Sequence, residues 1–334
     1  MLDTSMVKKI VNKKEFTLIV VLAVTVLIFW MINNNYLSTG NIRNIFNSAF
    51  VTGIISVGIA CLLIGGKIDL SAGNTGMMAG VIMSLLLKAE YPWVPALILV
   101  LLFGAATGFI NAFFVNVMKF APFISTLAVS TAYAGAALLL TNAQNVPIGK
   151  QNYSAFLSLG STNLGIFPLP FFIAIILLVV YGVILSATGF GRRIYMTGGN
   201  ANAARLAGIN PQKITTILFV NNSVISCIAG VLFASRMQMG SATAVSGSDL
   251  DAITAVILGG VAFTGGTGNM LGVFIGIILL TSFQNGLVVA GLGSYYQIVA
   301  KGLLLVAALI LDYFRENARA KALKASAELD RLAD

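Results

Sequence analysis

Residues 189–209 read Gly-Phe-Gly-Arg-Arg-Ile-Tyr-Met-Thr-Gly-Gly-Asn-Ala-Asn-Ala-Ala-Arg-Leu-Ala-Gly-Ile, a polar, basic island between two long apolar segments. Within it, Asn200 suits an N-cap, Ala201 to Ala207 suit two helical turns, and Gly208 suits a C′ stop. Asn210-Pro211 then caps and starts another helix. Two readings of this short helix stand side by side. One is an ordinary surface helix. The other is a coupling element, seated in a cleft of a cytoplasmic motor, that uses Gly198, Gly199, Asn200, Ala203, Ala204, Arg205 and Gly208.

A second chemical group is polar residues in apolar surroundings. Asp69, Ser71 and Asn74 follow Gly65-Gly66-Lys67, and Asn111, Asn116, Asn221, Asn222, Gln284 and Asn285 interrupt long apolar runs. Hydrocarbon offers an amide no hydrogen-bond partner. These side chains are therefore expected to face protein or an aqueous path. Asp69, Ser71, Asn74, Asn111, Asn221, Asn222, Gln284 and Asn285 are the candidates for a translocation path, and neutral amides suit a neutral hydroxylated solute. Asn116, Gln284 and Asn285 also fit positions near the membrane interface, where they would say little. Residues 65–74 and 258–269 are Gly-rich interruptions, one in each half. Paired interruptions point to broken helices beside a path. The other reading is two tight cytoplasmic hairpins, which fits 67–71 better, with Asp69 or Ser71 capping the next helix.

Other chemistries lack their residues. The chain has no histidine, which removes His triads, His metal sites and His proton relays. Cys61 and Cys227 sit in apolar runs and read as small buried hydrophobes. No catalytic residue and no metal site is expected. Gly65-Gly66-Lys67 is not a phosphate loop, because Cys61 and Ile68 stand where Gly and Ser or Thr belong. Gly266-Thr267-Gly268 is not a dinucleotide fingerprint, because Leu271 stands where the third glycine belongs.

The elements that hold these residues are membrane helices. Only 9% of the 334 residues are charged and 58% are hydrophobic, against roughly 25% charged in soluble domains. Repeated apolar runs of this length span a bilayer. The expected fold class is an all-α, polytopic membrane protein with about ten transmembrane helices, near 16–32, 45–66, 72–88, 93–118, 123–141, 168–187, 214–236, 252–264, 268–287 and 295–313. The first run follows four lysines but is too long for a signal peptide and lacks a small-x-small cleavage site. The expected organisation is a cytoplasmic segment 1–15, a transmembrane domain 16–313 with a cytoplasmic loop at 188–213, and a cytoplasmic tail 314–334.

Charge sets the orientation. With the N-terminus inside, fifteen Lys and Arg fall on inner segments: Lys8, Lys9, Lys13, Lys14, Lys67, Lys119, Arg192, Arg193, Arg205, Lys213, Arg315, Arg319, Lys321, Lys324 and Arg331. Four fall outside: Arg43, Lys88, Lys150 and Arg236. This is a positive-inside bias, so the net charge of +9 serves topology and no nucleic-acid partner is expected. Glycines spaced by four, Gly76/Gly80, Gly104/Gly108 and Gly268/Gly272/Gly276, allow close helix packing in lipid.

Taken together, Gly-Arg-Arg-Ile-Tyr (191–195), Gly-Gly-Asn-x-x-Ala-Ala-Arg-Leu-x-Gly-Ile (198–209), Ile-Asp-Leu-Ser-x-Gly (68–73), the Gly-rich 258–268 segment, Asn285-Gly286-Leu287 and the Lys301-Gly302 helix resemble the permease subunits of ribose-type ABC sugar importers. The resemblance runs over nearly the whole chain, and 198–209 is its most specific part. Ala72, Asn74 and Met196-Thr197 depart from the usual pattern and leave the substrate open. The resemblance implies a bacterial inner-membrane permease with both termini cytoplasmic, acting with a second permease copy or sister permease. It implies a cytoplasmic ABC ATPase that carries ATP and Mg, an extracytoplasmic sugar-binding protein docking near 142–167 and 237–251, and no cofactor on this chain. Nucleosides or branched-chain amino acids are the nearest alternative substrates. An ion-driven secondary transporter is the more distant alternative. It would need buried ionisable groups, which here are few: Asp69, Lys301 and Asp312.

The charge count predicts that Asn202→Cys reacts with an impermeant thiol reagent only in inside-out vesicles. Labelling from outside intact cells would overturn the topology.

Overall fold

The computed structural model describes residues 14–149, 153–245 and 247–333. Lys8, Lys9 and Lys13 of the N-terminal segment, and Lys150, Gln151 and Asn152 of the 142–167 loop, lie outside the described residues.

The chain is helical almost throughout. The long helices are α1 (Lys14–Ile32), α2 (Thr39–Ile64), α3 (Ala72–Lys88), α4 (Trp93–Ala112), α5 (Pro122–Thr141), α7 (Leu169–Ala187), α10 (Pro211–Met237), α12 (Met270–Val289) and α13 (Ser294–Ala333). Shorter helices are α6 (Ser154–Ser161), α8 (Gly189–Gly199), α9 (Ala201–Leu206) and α11 (Ser248–Leu258). Among the described residues, eight helices are long and apolar enough to cross a membrane. The two expected spans missing from these eight are α3 and α11, each shorter than 18 residues. Two small antiparallel strand pairs complete the fold: β1 (Val146–Pro147) with β4 (Met239–Gly240), and β2 (Asn163–Leu164) with β3 (Phe167–Pro168).

α2 is the central helix, buried along nearly its whole apolar length, while α1 and the Ser294–Phe314 part of α13 stay largely exposed at the periphery. Hydrophobicity cannot drive helices together in lipid, so backbones must approach closely. A Cβ on Gly76 would stand 2.7 Å from the Ser226 carbonyl, and one on Gly230 would overlap the carbonyl of Gly76, so α3 and α10 touch backbone to backbone. Gly80 does not match Gly76, although the spacing of four makes them look alike. A Cβ there would stand 3.0 Å from the Gly230 carbonyl oxygen and 3.4 Å from the Ala234 methyl, a looser approach one turn further along α3. Gly104 and Gly108 bring α4 close in the same way, against Cys227 and Val220 of α10. Gly272 and Gly276 seat α12 on Gly259 and Ala255 at the end of α11. Gly268 does not belong to this seam. It precedes α12 at φ +140° and packs on Val261 within its own loop; the spacing of four ran past the helix start.

The 67–71 segment is not a cytoplasmic hairpin. The turn comes earlier, at Gly65-Gly66, with Gly66 at φ +76°. The chain then runs back beside α2. Gly65 lies against Leu218 and Gly58 against Asn222, yet Asp69 also meets Asn222. The return therefore covers seven residues of α2, about 10 Å at 1.5 Å per residue. α3 thus starts inside the bundle. The partner break runs through 241–245. β4 lies beside Ser84, whereas Val245 and Asp249 lie against Gly73. Between those points the chain descends about 16 Å along α3. The expected outer loop 237–251 therefore holds a strand beside the C-terminal part of α3 and a segment that runs back along α3 into the bundle, and α3 and α11 meet at their N-termini.

A helix start inside a bundle exposes N–H groups that no water satisfies. Asp69 answers this need. Its Oδ1 accepts from the Ser71 N–H at 2.7 Å and the Ser71 hydroxyl at 2.6 Å, and its Oδ2 accepts from Asn222 Nδ2 at 2.9 Å. Asn111 Nδ2 donates to Ser71 Oγ at 2.8 Å. Thr126 Oγ1 accepts from the Leu70 N–H at 3.0 Å.

Asp69→Ala leaves three donors without acceptors, each costing about 1–3 kcal/mol, and should lower the melting midpoint of the detergent-purified protein. Asp69→Asn should be milder, because the Asn222 amide, whose Oδ1 has no partner among the described residues, can flip to accept. Equal midpoints for Asp69→Ala and the unmodified protein would remove the role of this cluster. Gly272→Leu should cost at least about 1–3 kcal/mol by overpacking, whereas Gly149→Leu, with nothing within 4 Å, should leave the yield of folded protein unchanged.

Candidate translocation path and docking helix

The polar candidates divide into separate groups. Asp69, Ser71, Asn111 and Asn222 converge in one fully buried cluster. They bind one another and line no open surface, so their visible work is to hold the break. Asn74 lies one turn along α3, half-buried, with Nδ2 donating to Ser130 Oγ at 2.8 Å and Oδ1 without a partner among the described residues. Asn221 faces away from the cluster and accepts from the Tyr181 hydroxyl. Asn285 belongs to a clamp between α2 and α12, where Asn41 Nδ2 donates to its Oδ1 at 2.7 Å. In the same clamp the Tyr36 hydroxyl donates to the Ser282 carbonyl at 2.8 Å. Gln284 donates to Asp251 Oδ1 at 3.0 Å, and Lys301 Nζ pairs with Asp251 Oδ2 at 2.9 Å. Asn116 ties the end of α4 to α10 through Thr215 and Thr216.

The open polar surface lies where the two broken helices face each other. A Cβ on Gly73 would stand 3.0 Å from Asp249 Oδ1 and 3.1 Å from the Asp249 backbone nitrogen. Thr243 is exposed there, and Asn74, Ser248 and Asp249 are half-buried. Reading residues in sequence missed Thr243, Ser248 and Asp249. They sit in what looked like an outer loop, and only the contact with Gly73 brings them to α3.

On the other side of the bundle, the capped helix forms as expected. Asn200 Oδ1 accepts from the N–H groups of Asn202 and Ala203, both at 3.0 Å. Gly208 takes φ +78°, and Asn210 Oδ1 accepts from the Lys213 N–H at 3.1 Å. Ala204 is buried, fixing which face of α9 points inward. Arg205 is exposed, and Leu206 is 91% exposed. Leu206 was missed as a surface residue, because a leucine in a helix ordinarily reads as core. The segment before α9 is itself a helix, α8, started by Thr188, whose Oγ1 accepts from the Gly191 N–H at 3.1 Å. Tyr195 on α8 donates its hydroxyl to the Gly268 carbonyl at 2.8 Å. Burial, and then the neighbouring Cys61, push the Tyr195 phenol above its ordinary value, so it stays a donor.

Among the described residues no cluster of Cys, Asp or Glu is arranged to hold a metal.

Comparison with known proteins agrees with this architecture. The family described as branched-chain amino acid transport system / permease component matches residues 41–309. The ribose import permease protein RbsC of Haemophilus influenzae is 33% identical over 306 residues, covering 91% of this chain and 94% of that protein. RbsC of Bacillus subtilis is 33% identical over 87% of this chain and 90% of its own length. The autoinducer 2 import system permease protein LsrC of Photorhabdus luminescens is 31% identical over 92% of both. The chain belongs to the ABC transporter permease family of the branched-chain amino acid transport system / permease component type.

Proposed function

We propose that this chain is the membrane-spanning permease subunit of an ATP-driven importer that carries a monosaccharide or related sugar across the bacterial inner membrane. The observation that carries the coupling part is α9. Leu206 and Arg205 stand in water on a helix capped at both ends. An apolar side chain so exposed on a polar surface fits a partner's cleft. That partner is a cytoplasmic ATPase, which holds ATP and Mg; this chain carries no cofactor and does no catalysis. Both termini and residues 188–213 are cytoplasmic.

The path runs past the opposed ends of α3 and α11, lined by Asn74, Thr243, Ser248 and Asp249. A second permease, the same chain or a sister, covers the open side. An extracytoplasmic binding protein docks near 142–149, 153–167 and the β1–β4 pair. ATP-driven closure of the motor moves α9, and the bundle reorients. Sugar is favoured by two supports. The relatives named above are ribose and autoinducer 2 import permeases, and the candidate path offers amide and hydroxyl groups, which hydrogen-bond polyols.

Reconstitution in liposomes with ATPase and binding protein tests this. Uptake should require ATP and continue at constant ATP when the proton gradient is dissipated. Uptake in ATP-free vesicles under an ion gradient would refute it. A panel of labelled sugars and leucine separates sugar import from amino-acid import. Arg205→Glu and Leu206→Asp should insert normally and lose about tenfold or more in ATPase affinity, as disrupted charged contacts at interfaces cost about 2–5 kcal/mol. Unchanged affinity and transport would make α9 a plain surface helix.

A further inference from the structure

Three stretches of backbone without side chains meet below the break. α2 ends at Gly65-Gly66, α8 ends at Gly198-Gly199, and the loop after α11 passes through Gly265-Gly266. Each touches the other two. A Cβ on Gly265 would stand 2.8 Å from Gly66 Cα and 3.0 Å from the Gly198 carbonyl oxygen. One on Gly266 would stand 2.6 Å from Gly199 Cα, and one on Gly198 would overlap the Ile64 carbonyl. The Gly266 N–H donates to that same Ile64 carbonyl at 2.8 Å. The Tyr195 hydroxyl bridges α8 to the Gly268 carbonyl, fixing the loop a second time.

Each stretch leads to a different working part. Gly199 is followed by Asn200, the cap of α9. Gly66 is three residues from Asp69, which holds the start of α3. The 259–268 loop continues α11, whose other end faces Gly73. Backbone packed on backbone has no rotamers with which to absorb a displacement. Close-packed contacts pass movement on as rigid shifts.

We propose that this glycine junction is where movement of α8 and α9 reaches both broken helices, and that Tyr195 is a positioning residue that keeps the 259–268 loop moving with α8. The proposal rests on the reading that α9 engages an ATPase, and the test separates the two.

Spin labels at Asn202→Cys, on α9, and Thr243→Cys, in the inward segment, report the two ends in the assembled transporter in liposomes. Both native cysteines are buried. In the unmodified junction, trapping the nucleotide-closed state should change both spectra. Tyr195→Phe removes one hydroxyl and adds no bulk, and Gly266→Ala adds a methyl group against Gly199. In each, the label at 202 should keep its response and the label at 243 should lose most of it. In the same variants without labels or added cysteines, sugar carried per ATP hydrolysed should fall at least threefold, with complex assembly unchanged. If Gly266→Ala does not assemble, Tyr195→Phe decides alone. Both labels responding at an unmodified transport-to-ATP ratio would reduce the junction to packing. Loss of both responses would place its role in ATPase docking and overturn the proposal. A label at 202 indifferent to nucleotide with the junction intact would instead overturn the coupling reading of α9.

Discussion

Asp69 stands where a helix begins inside the bundle, and a carboxyl group there has to satisfy donors that water cannot reach. It takes the Ser71 N–H and hydroxyl on one oxygen and Asn222 on the other. A buried, acceptor-only group at the positive end of a helix is the electrostatic match for exposed N–H groups. Much else follows from this choice. α3 can be shorter than the other spanning helices because its missing part is the extended return from Gly66. Its start is fixed against α10, and the end of α11 is seated on Gly73.

Packing around the break uses what lipid allows. Glycines on α3, α4, α10 and α12 bring backbones into direct contact, since apolar side chains gain little by leaving hydrocarbon for protein. Polar pairs then set the register. Tyr36 and Asn41 clamp α12 to the segment that opens α2. Lys301, Asp251 and Gln284 join α13, α11 and α12. An ion pair part-way out of water costs desolvation, so its use here fixes placement more than it adds stability.

What was legible in the sequence was local or periodic. Apolar runs marked the spans, and Asn200, Gly208, Asn210 and Pro211 marked the ends of α9 and the start of α10, because capping depends on neighbours a few residues away. Depth was not legible. Residues 67–71 read as a hairpin, since nothing local tells a turn at the membrane surface from an extended return into it. Facing was not legible either. Asn222 joins the Asp69 cluster while its neighbour Asn221 turns to Tyr181, a difference set by helix rotation. Spacing alone did not rank the contacts. Gly76 and Gly80 share a face of α3, yet the tightest contact with α10 falls at Gly76 and Gly80 keeps more room. Gly268 fitted a spacing of four but sits before the helix begins. Leu206 is exposed because the short helix α9 packs only its Ala204 face on the chain and leaves its outer face without protein.

The polar surface between the two broken helices and the capped helix α9 are joined through backbone contacts at the glycine junction. In the proposed transport cycle the break lies on the path, and access to it alternates between the two sides of the membrane. Asn74→Cys in the assembled transporter tests this directly. An impermeant thiol reagent should reach position 74 from one side of the membrane in the nucleotide-free state and from the opposite side in the nucleotide-closed state. Reaction from the same side in both states, or from neither side in either, would contradict it.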